Sequence, residues 1–414
     1  MHRRAFLGNA LPGLRVYTAF WGDARTLGTS RVPKLKISAV KAARLRGINS
    51  KFVRVYTDQG LTGDGETLDT VGAQDIINNH LGPALVGRDP LDIEGIWFDL
   101  WSWKSPPGGI PPVFMRGMGG PYLSALSGVE MALWDLAGKA MGVPLYRLLG
   151  GRIRDKVAVY YHAGQPKEAL KIVQSTGVKA IKTGIDNITQ KGNTKLGLDP
   201  GKAWNFTLTN KQIDEIASFV ASMREALGPE VGLALECHTR YDTESAIQIA
   251  KAVEPYRPMW LEEPVPSDNP ETMSAVRRAT RIPIAAGENI YTRYGFREYL
   301  EKQAVSIIQP DMAKCGGLWE SRKIAAMAEV YHIPIAPHGV ASTLGKVAYA
   351  HVCATVPNFM ILEWAHLYNE PLNRLMETAH YDAGFVHVPD VPGIGVRLND
   401  AAIREILEPG YEFK

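Results

Sequence analysis

Eight short apolar runs alternate with helix-like stretches after Gly150, and this alternation constrains the fold more than any other feature of the chain. The runs are VAVYYH, VKAIKTG, VGLALECH, PMWLEEP, IPIAAGE, VSIIQPD, IPIAPHG and FMILEW, separated by stretches such as ESAIQIAKAVE and ESRKIAAMAEVYH. Strands that alternate with crossover helices form parallel sheets, and eight such strands close into a barrel. We therefore predict an α/β protein with a TIM-type barrel over residues 151–375.

Residues 34–150 show a different order, with strands first and helices second. The segment KFVRVYTDQGLTGDGET has alternating residues on both sides of an Asp58-Gln59-Gly60 turn, which is typical of an antiparallel hairpin. Between residues 121 and 142, apolar residues recur at helical spacing and a glycine stands where the helix should stop. This order predicts an α+β domain that caps the barrel.

Residues 1–33 form a leader whose interpretation decides the expected compartment. Arg3-Arg4 resembles a twin-arginine export signal. Pro12 and the charge of Arg15 interrupt the apolar stretch that such a signal needs. We expect a cytoplasmic protein with a disordered leader or a degenerate signal, and export through Arg3-Arg4 is the alternative.

Composition argues against several classes of partner. The 414 residues include 46 Lys and Arg against 43 Asp and Glu, a net charge of +3, with no basic run of the kind that binds nucleic acid or a membrane surface. No apolar stretch approaches the roughly 20 residues that span a bilayer. Cys237, Cys315 and Cys353 are widely spaced and odd in number, which argues against a disulfide framework and fits a reducing compartment. We expect neither a nucleic-acid partner nor a membrane partner.

The polar residues that end the apolar runs form the candidate site. The carboxyl ends of all strands in a parallel barrel meet on one face, so these side chains should converge. From the third run onward they recur every 23 to 27 residues, about one βα unit. In chain order they are Lys182, Glu236 with His238, Glu262, Glu288, Asp311, His338 and Glu363.

Glu236, Glu262 and Glu288 end three adjacent strands and form a candidate metal site. Three convergent carboxylates repel one another unless a hard cation neutralises them. Ligation by oxygen alone, with room for water and substrate, is typical of Mg²⁺. A single glutamate at a strand end is more simply a cap or a salt bridge, but the triple favours one Mg²⁺ per subunit.

Two histidines are candidates for proton transfer. Asp311 and His338 end the sixth and seventh strands, and a carboxylate beside an imidazole orients it and raises its basicity, so His338 is a candidate general base. Side chains two apart in a strand share a face, so Glu236 and His238 should face the site while Cys237 faces the helices. His238 could be a metal ligand, a substrate donor or a general acid. Because three carboxylates already serve the metal, we favour the acid.

The residues from about Pro33 to the C-terminus resemble the mandelate racemase subgroup of the enolase superfamily. The segments that carry the resemblance are GGPYLSALSGVEMALWDLAGK, WLEEP, AAGEN, IIQPD, APHG and ILEW. The resemblance implies a modified (β/α)₇β barrel, an N-terminal α+β capping domain that residues 376–414 complete, and a homo-oligomer. It also implies Mg²⁺ on the three carboxylates and removal of the proton α to a substrate carboxylate, which gives a metal-stabilised enediolate.

Lys182 and Glu363 would donate hydrogen bonds to the oxygens of that enediolate, Glu363 only if it is protonated. The alternative for Lys182 is an ion pair with the metal carboxylates. Arg240, Tyr241, Trp364 and His366 lie just beyond strand ends and could contact sugar hydroxyls, although strand-end polarity explains them nearly as well.

Two departures within the subgroup bear on the reaction. Lys182-Thr183-Gly184 lacks the second lysine of the Lys-x-Lys motif that mandelate-type racemases carry. Glu236-x-His238 is similar to the Asp-x-His of galactonate- and mannonate-type dehydratases, in which the histidine protonates the departing 3-hydroxyl, but it has the longer Glu as metal ligand.

We predict a Mg²⁺-dependent hydro-lyase, a carbon–oxygen lyase that dehydrates a small-molecule carboxylate. The substrate would be an aldonate such as galactonate, gluconate or mannonate, and the product a 2-keto-3-deoxy acid. One alternative is a racemase or epimerase of a 2-hydroxy acid on the same scaffold. The other is a noncatalytic Mg²⁺-binding scaffold.

Overall fold

The computed structural model describes residues 33–48, 50–68, 71–102, 119–186, 207–364, 372, 374–377 and 379–413. Some sequence predictions concern residues outside this part of the chain. They are the export motif at Arg3-Arg4 and the candidate sugar contact His366.

The N-terminal region is a three-stranded antiparallel sheet covered by helices. Its strands, in sheet order, are β1 (Ile37–Ala42), β2 (Lys51–Thr57) and β3 (Thr62–Thr67). Its helical segments are α1 (Ala73–Ile76), a π-helical turn (Ile77–Leu81), α2 (Gly82–Leu85), α3 (Ile93–Ser102), α4 (Pro121–Met141) and α5 (Leu145–Leu148). The β2–β3 pairing confirms the predicted hairpin, and α4 ends as predicted at Gly142, whose φ of 68° suits a glycine cap.

Helix α4 packs directly on β3 because two glycines remove the side chains between them. A Cβ on Gly63 would lie 2.1 Å from the carbonyl oxygen of Ala132, and one on Gly65 would lie 2.5 Å from that of Gly128. Both distances are far below van der Waals contact, so the TGDGET strand depends on glycine for this close approach.

Parallel strands form the second sheet. They are β4 (Lys156–His162), β5 (Ala180–Gly184), β6 (Gly232–Glu236), β7 (Trp260–Glu262), β8 (Ile284–Ala286), β9 (Ile307–Ile308) and β10 (Leu362–Glu363). Between β9 and β10, Ile335 makes parallel bridges to Ile308 and to Phe359, and β10 pairs with β4. The Ile335 segment is thus the seventh of eight strands, and the ring of pairings closes.

The described helices of the barrel follow its first seven strands. They are α6 (Pro166–Thr176), α7 (Asn210–Leu227), α8 (Thr243–Val253), α9 (Pro270–Ala279), α10 (Thr292–Glu301), α11 (Leu318–Val330) and α12 (Thr343–Thr355). One residue from each strand fills the interior: Tyr160, Ala180, Ala234, Trp260, Ala285, Ile307, Ala336 and Ile361. This order is the predicted (β/α)₇β barrel.

The C-terminal segment contacts both parts of the fold. Strands β11 (Tyr381–Asp382) and β12 (Phe385–His387) form a hairpin whose second strand pairs antiparallel with β4. Helix α13 (Asp400–Ile406) follows, and Asp400 Oδ1 lies 2.9 Å from Arg54 Nη2 of β2. The chain therefore returns to the capping sheet at Arg54.

Two buried carboxylates of the capping region bind the N-termini of barrel helices. Glu66 accepts hydrogen bonds from the backbone amides of Ser342 (2.8 Å) and Gly345 (3.0 Å) at the start of α12. Glu130 accepts from the amides of Leu318 (2.7 Å) and Trp319 (2.9 Å) at the start of α11. A carboxylate at a helix N-terminus satisfies free amides and the helix dipole, so these contacts fasten the cap to the barrel.

Within the described residues, no helix is both long enough and apolar enough to cross a membrane. Cys237, Cys315 and Cys353 are all buried free thiols.

Candidate active site

The three predicted metal ligands converge at the carboxyl ends of neighbouring strands. Glu236 and Glu262 are the last residues of β6 and β7 and stand opposite each other in the sheet register. Glu288 follows β8 by two residues. One carboxylate oxygen from each of the three lies within 4.8 Å of the other two. The sequence prediction that these side chains share one site agrees with this geometry.

The charges around this cluster fit a divalent cation. Lys182 Nζ lies 3.1 Å from Glu236 Oε2 and 2.9 Å from Glu262 Oε1, and it also lies 2.8 Å from Glu363 Oε1. One ammonium thus serves three buried carboxylates. Burial and the charge of Glu262 still raise the pKa of Glu236 well above its usual range. A site made only of carboxylate oxygens and short of positive charge is suited to Mg²⁺.

Lys182 forms ion pairs with Glu236 and Glu262, as the alternative interpretation of this lysine predicted. Burial alone lowers the pKa of this lysine, but Glu262 and Glu363 outweigh that effect and raise the pKa well above its usual value. The ammonium is therefore firmly charged. Donation from it to a substrate stays a prediction.

His338 and Asp311 form the expected dyad. His338 Nδ1 lies 2.5 Å from Asp311 Oδ2, and the other oxygen of Asp311 accepts from the Tyr349 hydroxyl at 2.9 Å. His338 Nε2 lies 2.9 Å from Glu288 Oε2. Burial lowers the pKa of His338, but the charges of Glu288 and Glu363 and the Asp311 hydrogen bond raise it well above its usual value. A metal ion held by Glu288 would share its charge and make this rise in the pKa smaller.

Glu363 differs from the expectation. It accepts a hydrogen bond from the Gly339 amide at 3.0 Å, and it contacts Lys182 and His162 Nε2. Burial raises the pKa of this carboxyl, but the charges of Lys182 and His338 and the contact with His162 outweigh burial and hold the pKa well below its usual range. The group is ionised, so the predicted donation from a protonated Glu363 does not fit these surroundings; it acts as an acceptor.

His238 reaches the site through a turn and not through strand alternation. Strand β6 ends at Glu236, and His238 and Thr239 have positive φ values of 47° and 59°. The His238 amide donates to Glu236 Oε1 at 2.8 Å. Cys237 is buried in the apolar layer with the helices, as alternation predicted.

The His238 imidazole has a carboxylate partner of its own. Its Nδ1 lies 3.2 Å from Asp186 Oδ2, and the side chain is 49% exposed. Burial lowers the pKa of His238, but the hydrogen bond and charge of Asp186 outweigh it and raise the pKa. A half-exposed imidazole that holds its proton is suited to act as a general acid.

Sequence reasoning missed some residues of the site. His162 ends the first strand and contacts Glu363, and the strand-end rule that found the other residues applies to it equally. Asp186, the carboxylate partner of His238, carried no comparable signal. Two candidate sugar contacts lie inside the protein: Tyr241 is fully buried in the core, and Trp364 is buried against Lys346.

Known proteins match the chain over both regions. The family described as mandelate racemase / muconate lactonizing enzyme, N-terminal domain, matches residues 34–150. The family described as enolase C-terminal domain-like matches residues 166–402.

Two curated relatives are dehydratases by name. The D-xylonate dehydratase of Haloferax volcanii is 36% identical over 376 residues, which cover 87% of this chain and 85% of the relative. The D-galactonate dehydratase of Ralstonia pickettii is 36% identical over 366 residues, which cover 86% and 90%.

Among solved structures, a mandelate racemase/muconate lactonizing enzyme-like protein from Rubrobacter xylanophilus superposes with a TM-score of 0.82 at 36% identity. The match covers 92% of this chain and 100% of that chain. Sequence profile, identity and fold agree with the family expected from the motifs. The chain belongs to the mandelate racemase subgroup of the enolase superfamily.

Proposed function

We propose that this protein is a Mg²⁺-dependent dehydratase of a sugar acid, with His338 as the base and His238 as the acid. The observation that carries the proposal is the presence of two histidines, each with its imidazole paired to a separate aspartate and each bonded, through its backbone amide or its ring, to a different glutamate of the cluster. His238 pairs with Asp186 and its amide binds Glu236. His338 pairs with Asp311 and contacts Glu288. One proton can be removed and another delivered on the same bound substrate.

The cluster of Glu236, Glu262 and Glu288 would hold the metal ion. Mg²⁺ there would supply positive charge against the second negative charge that builds on the substrate carboxylate when its α-proton leaves. His338 would take the C2 proton on Nε2, because its Nδ1 faces Asp311. His238 would give its proton to the 3-hydroxyl, which leaves as water. The resulting enol takes up a proton at C3, releases the proton of its 2-hydroxyl to solvent and so becomes a 2-keto-3-deoxy acid.

Both curated relatives described above are named as dehydratases of sugar acids. The predicted enzyme class, a carbon–oxygen lyase, is confirmed at that level. We propose a small-molecule carboxylate as substrate and put D-xylonate and D-galactonate first, followed by gluconate and mannonate. The homo-oligomer implied by the family stays a prediction.

Racemisation is the rival reaction, and it needs a second base across the substrate from His338. Lys182 is a poor candidate because its ammonium is held by three carboxylates and its pKa is raised. His238 is also a poor base while Asp186 keeps it protonated. The arrangement therefore favours elimination. A noncatalytic scaffold would have no use for two His–Asp pairs.

The test is an assay of these aldonates with Mg²⁺ in which keto-acid formation and optical rotation are followed together. A dehydratase produces keto acid in step with the change in rotation. An epimerase changes the rotation without keto acid, and that result would refute the proposed reaction. The 3-deoxy analogue of the best substrate is the matched control, since it has an acidic C2 proton but no hydroxyl to lose.

A further inference from the structure

We infer that Glu263 is a positioning residue that holds the metal ligand Glu288 in place through Asn289, an inference that rests on the metal site of the proposed function. Glu263 follows Glu262 directly in the WLEEP segment and is fully buried. Its neighbours in the sequence gave no indication of this role. The contacts of its side chain and backbone do.

Asn289 links the two carboxylates. Its Nδ2 donates to Glu263 Oε2 at 2.8 Å and to Glu288 Oε1 at 3.2 Å. The other oxygen of Glu263 accepts from the Ser267 hydroxyl at 3.0 Å. Both carboxylate oxygens of Glu263 thus accept hydrogen bonds from protein donors. Of the two hydrogen bonds that Asn289 Nδ2 donates, the one to Glu263 is shorter than the one to Glu288. Glu263 therefore fixes the amide that orients Glu288.

Glu263 is itself anchored on several sides. Its amide donates to the Ala285 carbonyl of β8 at 2.9 Å, and its carbonyl accepts from the Thr239 amide at 2.8 Å. Through Ser267 it is also connected to α10, because the Tyr299 hydroxyl donates to the Ser267 carbonyl at 2.7 Å. One residue on β7's end therefore joins the turn after β6 to the strand that leads to Glu288.

The backbone of Glu263 indicates that this arrangement has a cost. Its φ is 38°, in the left-handed region, where a residue with a Cβ is strained relative to ordinary conformations. Burying a carboxylate adds a desolvation penalty. A glycine or asparagine would adopt this turn more easily. A buried glutamate at this position is explained if its carboxylate must accept the hydrogen bonds of Asn289 and Ser267, which a glycine cannot do.

Glu288 is the metal ligand that most needs such support. Its side chain is 15% exposed, against 2% for Glu236 and 1% for Glu262. It also lies beyond the end of β8, whereas the other two are within their strands. Among the described residues, its carboxylate has hydrogen-bonding contacts with Asn289 and with His338, the proposed base. Partners that orient a metal ligand commonly contribute 10- to 100-fold to metal affinity.

The test measures Mn²⁺ affinity by electron paramagnetic resonance, which needs no substrate and no turnover. We expect Glu263→Ala and Asn289→Leu each to weaken Mn²⁺ binding roughly 10- to 100-fold. The double variant should lose little more than either single one, because both changes break the same connection. Glu263→Gln should stay within about threefold of the wild type, since its amide oxygen can accept from Asn289 and its amide nitrogen can donate to Ser267.

Glu130→Ala is the matched control for loss of a buried, hydrogen-bonded carboxylate away from the metal. It should lower the melting temperature and leave the Mn²⁺ affinity unchanged. Wild-type affinity in folded Glu263→Ala would overturn the inference, as would a loss in Glu263→Gln as large as in the alanine variant. If the wild type itself bound no Mn²⁺, the metal site of the proposed function would fail as well, so the two failures are distinct.

Discussion

His338 Nδ1 lies 2.5 Å from Oδ2 of Asp311. A carboxylate accepts hydrogen bonds and does not donate them when ionised, so the Nδ1 proton of the imidazole points at Asp311. The other Asp311 oxygen is engaged by the Ala313 amide at 2.9 Å, which fixes the carboxylate in turn. Nε2 is therefore the atom through which His338 exchanges protons with a substrate.

Removing this base should abolish the first chemical step. In His338→Asn we expect both the exchange of the C2 proton with D₂O and keto-acid formation to fall by roughly 10²- to 10⁴-fold. Asp311→Asn should cause a smaller loss in both, because the imidazole remains but loses its orientation. Proton NMR of the substrate in D₂O measures the exchange. His332→Asn, which removes an exposed histidine, is the control and should exchange the C2 proton at the wild-type rate. Exchange at the wild-type rate in His338→Asn would instead show that another group is the base.

Divalent cations should stabilise the fold. Glu236 is buried beside Glu262, and burial together with the charge of Glu262 raises its pKa well above the usual range, so a cation there should stabilise the folded state. Saturation with Mg²⁺ at 100 times its Kd should add about 2.7 kcal/mol to the free energy of unfolding of EDTA-treated protein. Urea denaturation at increasing Mg²⁺ measures the effect. Added Mg²⁺ should not change the free energy of unfolding of Glu262→Gln. If Mg²⁺ had no effect on the unfolding of the wild type either, the proposed ligands would be wrong.

The stability of the fold should decrease in mild acid because of His351. This histidine is fully buried, its Nδ1 accepts from the Tyr146 amide at 3.2 Å, and its Nε2 lies 3.0 Å from the Ile394 carbonyl. Burial lowers its pKa to about 4, and the charge of Arg152 adds to the decrease. The unfolded chain takes up a proton near pH 6.5 while the folded one does not. The neutral, buried His351 therefore contributes fully to the free energy of unfolding above about pH 6.5. This contribution of about 3 kcal/mol is lost as the pH falls toward 4.

Urea denaturation of the wild type and His351→Gln between pH 7 and pH 4 measures this contribution. The variant is expected to be less stable at neutral pH and to lose about 3 kcal/mol less on acidification. His332→Asn, at an exposed position, should follow the wild-type curve. Parallel curves for the wild type and His351→Gln would show that His351 is not the group responsible.

The barrel and the glutamate cluster could be predicted from the sequence because both follow from a simple repeat. Each strand contributes one polar residue at its carboxyl end, so the periodicity alone brings Glu236, Glu262 and Glu288 together. The burial of Cys237 followed from strand alternation in the same way. His162 obeys the same rule and could have been included.

Contacts set by turns and by distant parts of the chain could not be predicted. The positive φ of His238 begins where the strand ends, so alternation gives no information about its direction. The pairing of His238 with Asp186 depends on how two loops approach each other. Glu66 contacts the Ser342 amide across 276 residues of sequence, and no local pattern marks such a partner. The ionised state of Glu363 likewise depends on cations from other strands.

The most direct test of the proposed mechanism separates its two proton transfers in one variant. In His238→Asn, we expect keto-acid formation to fall by roughly 10²- to 10⁴-fold, while His338 continues to exchange the C2 proton with D₂O at a rate close to that of the wild type. Both are read from the same NMR sample with Mg²⁺ and the best aldonate substrate. Continued exchange with loss of dehydration is the result that the proposal predicts. Keto-acid formation at the wild-type rate in this variant would contradict it.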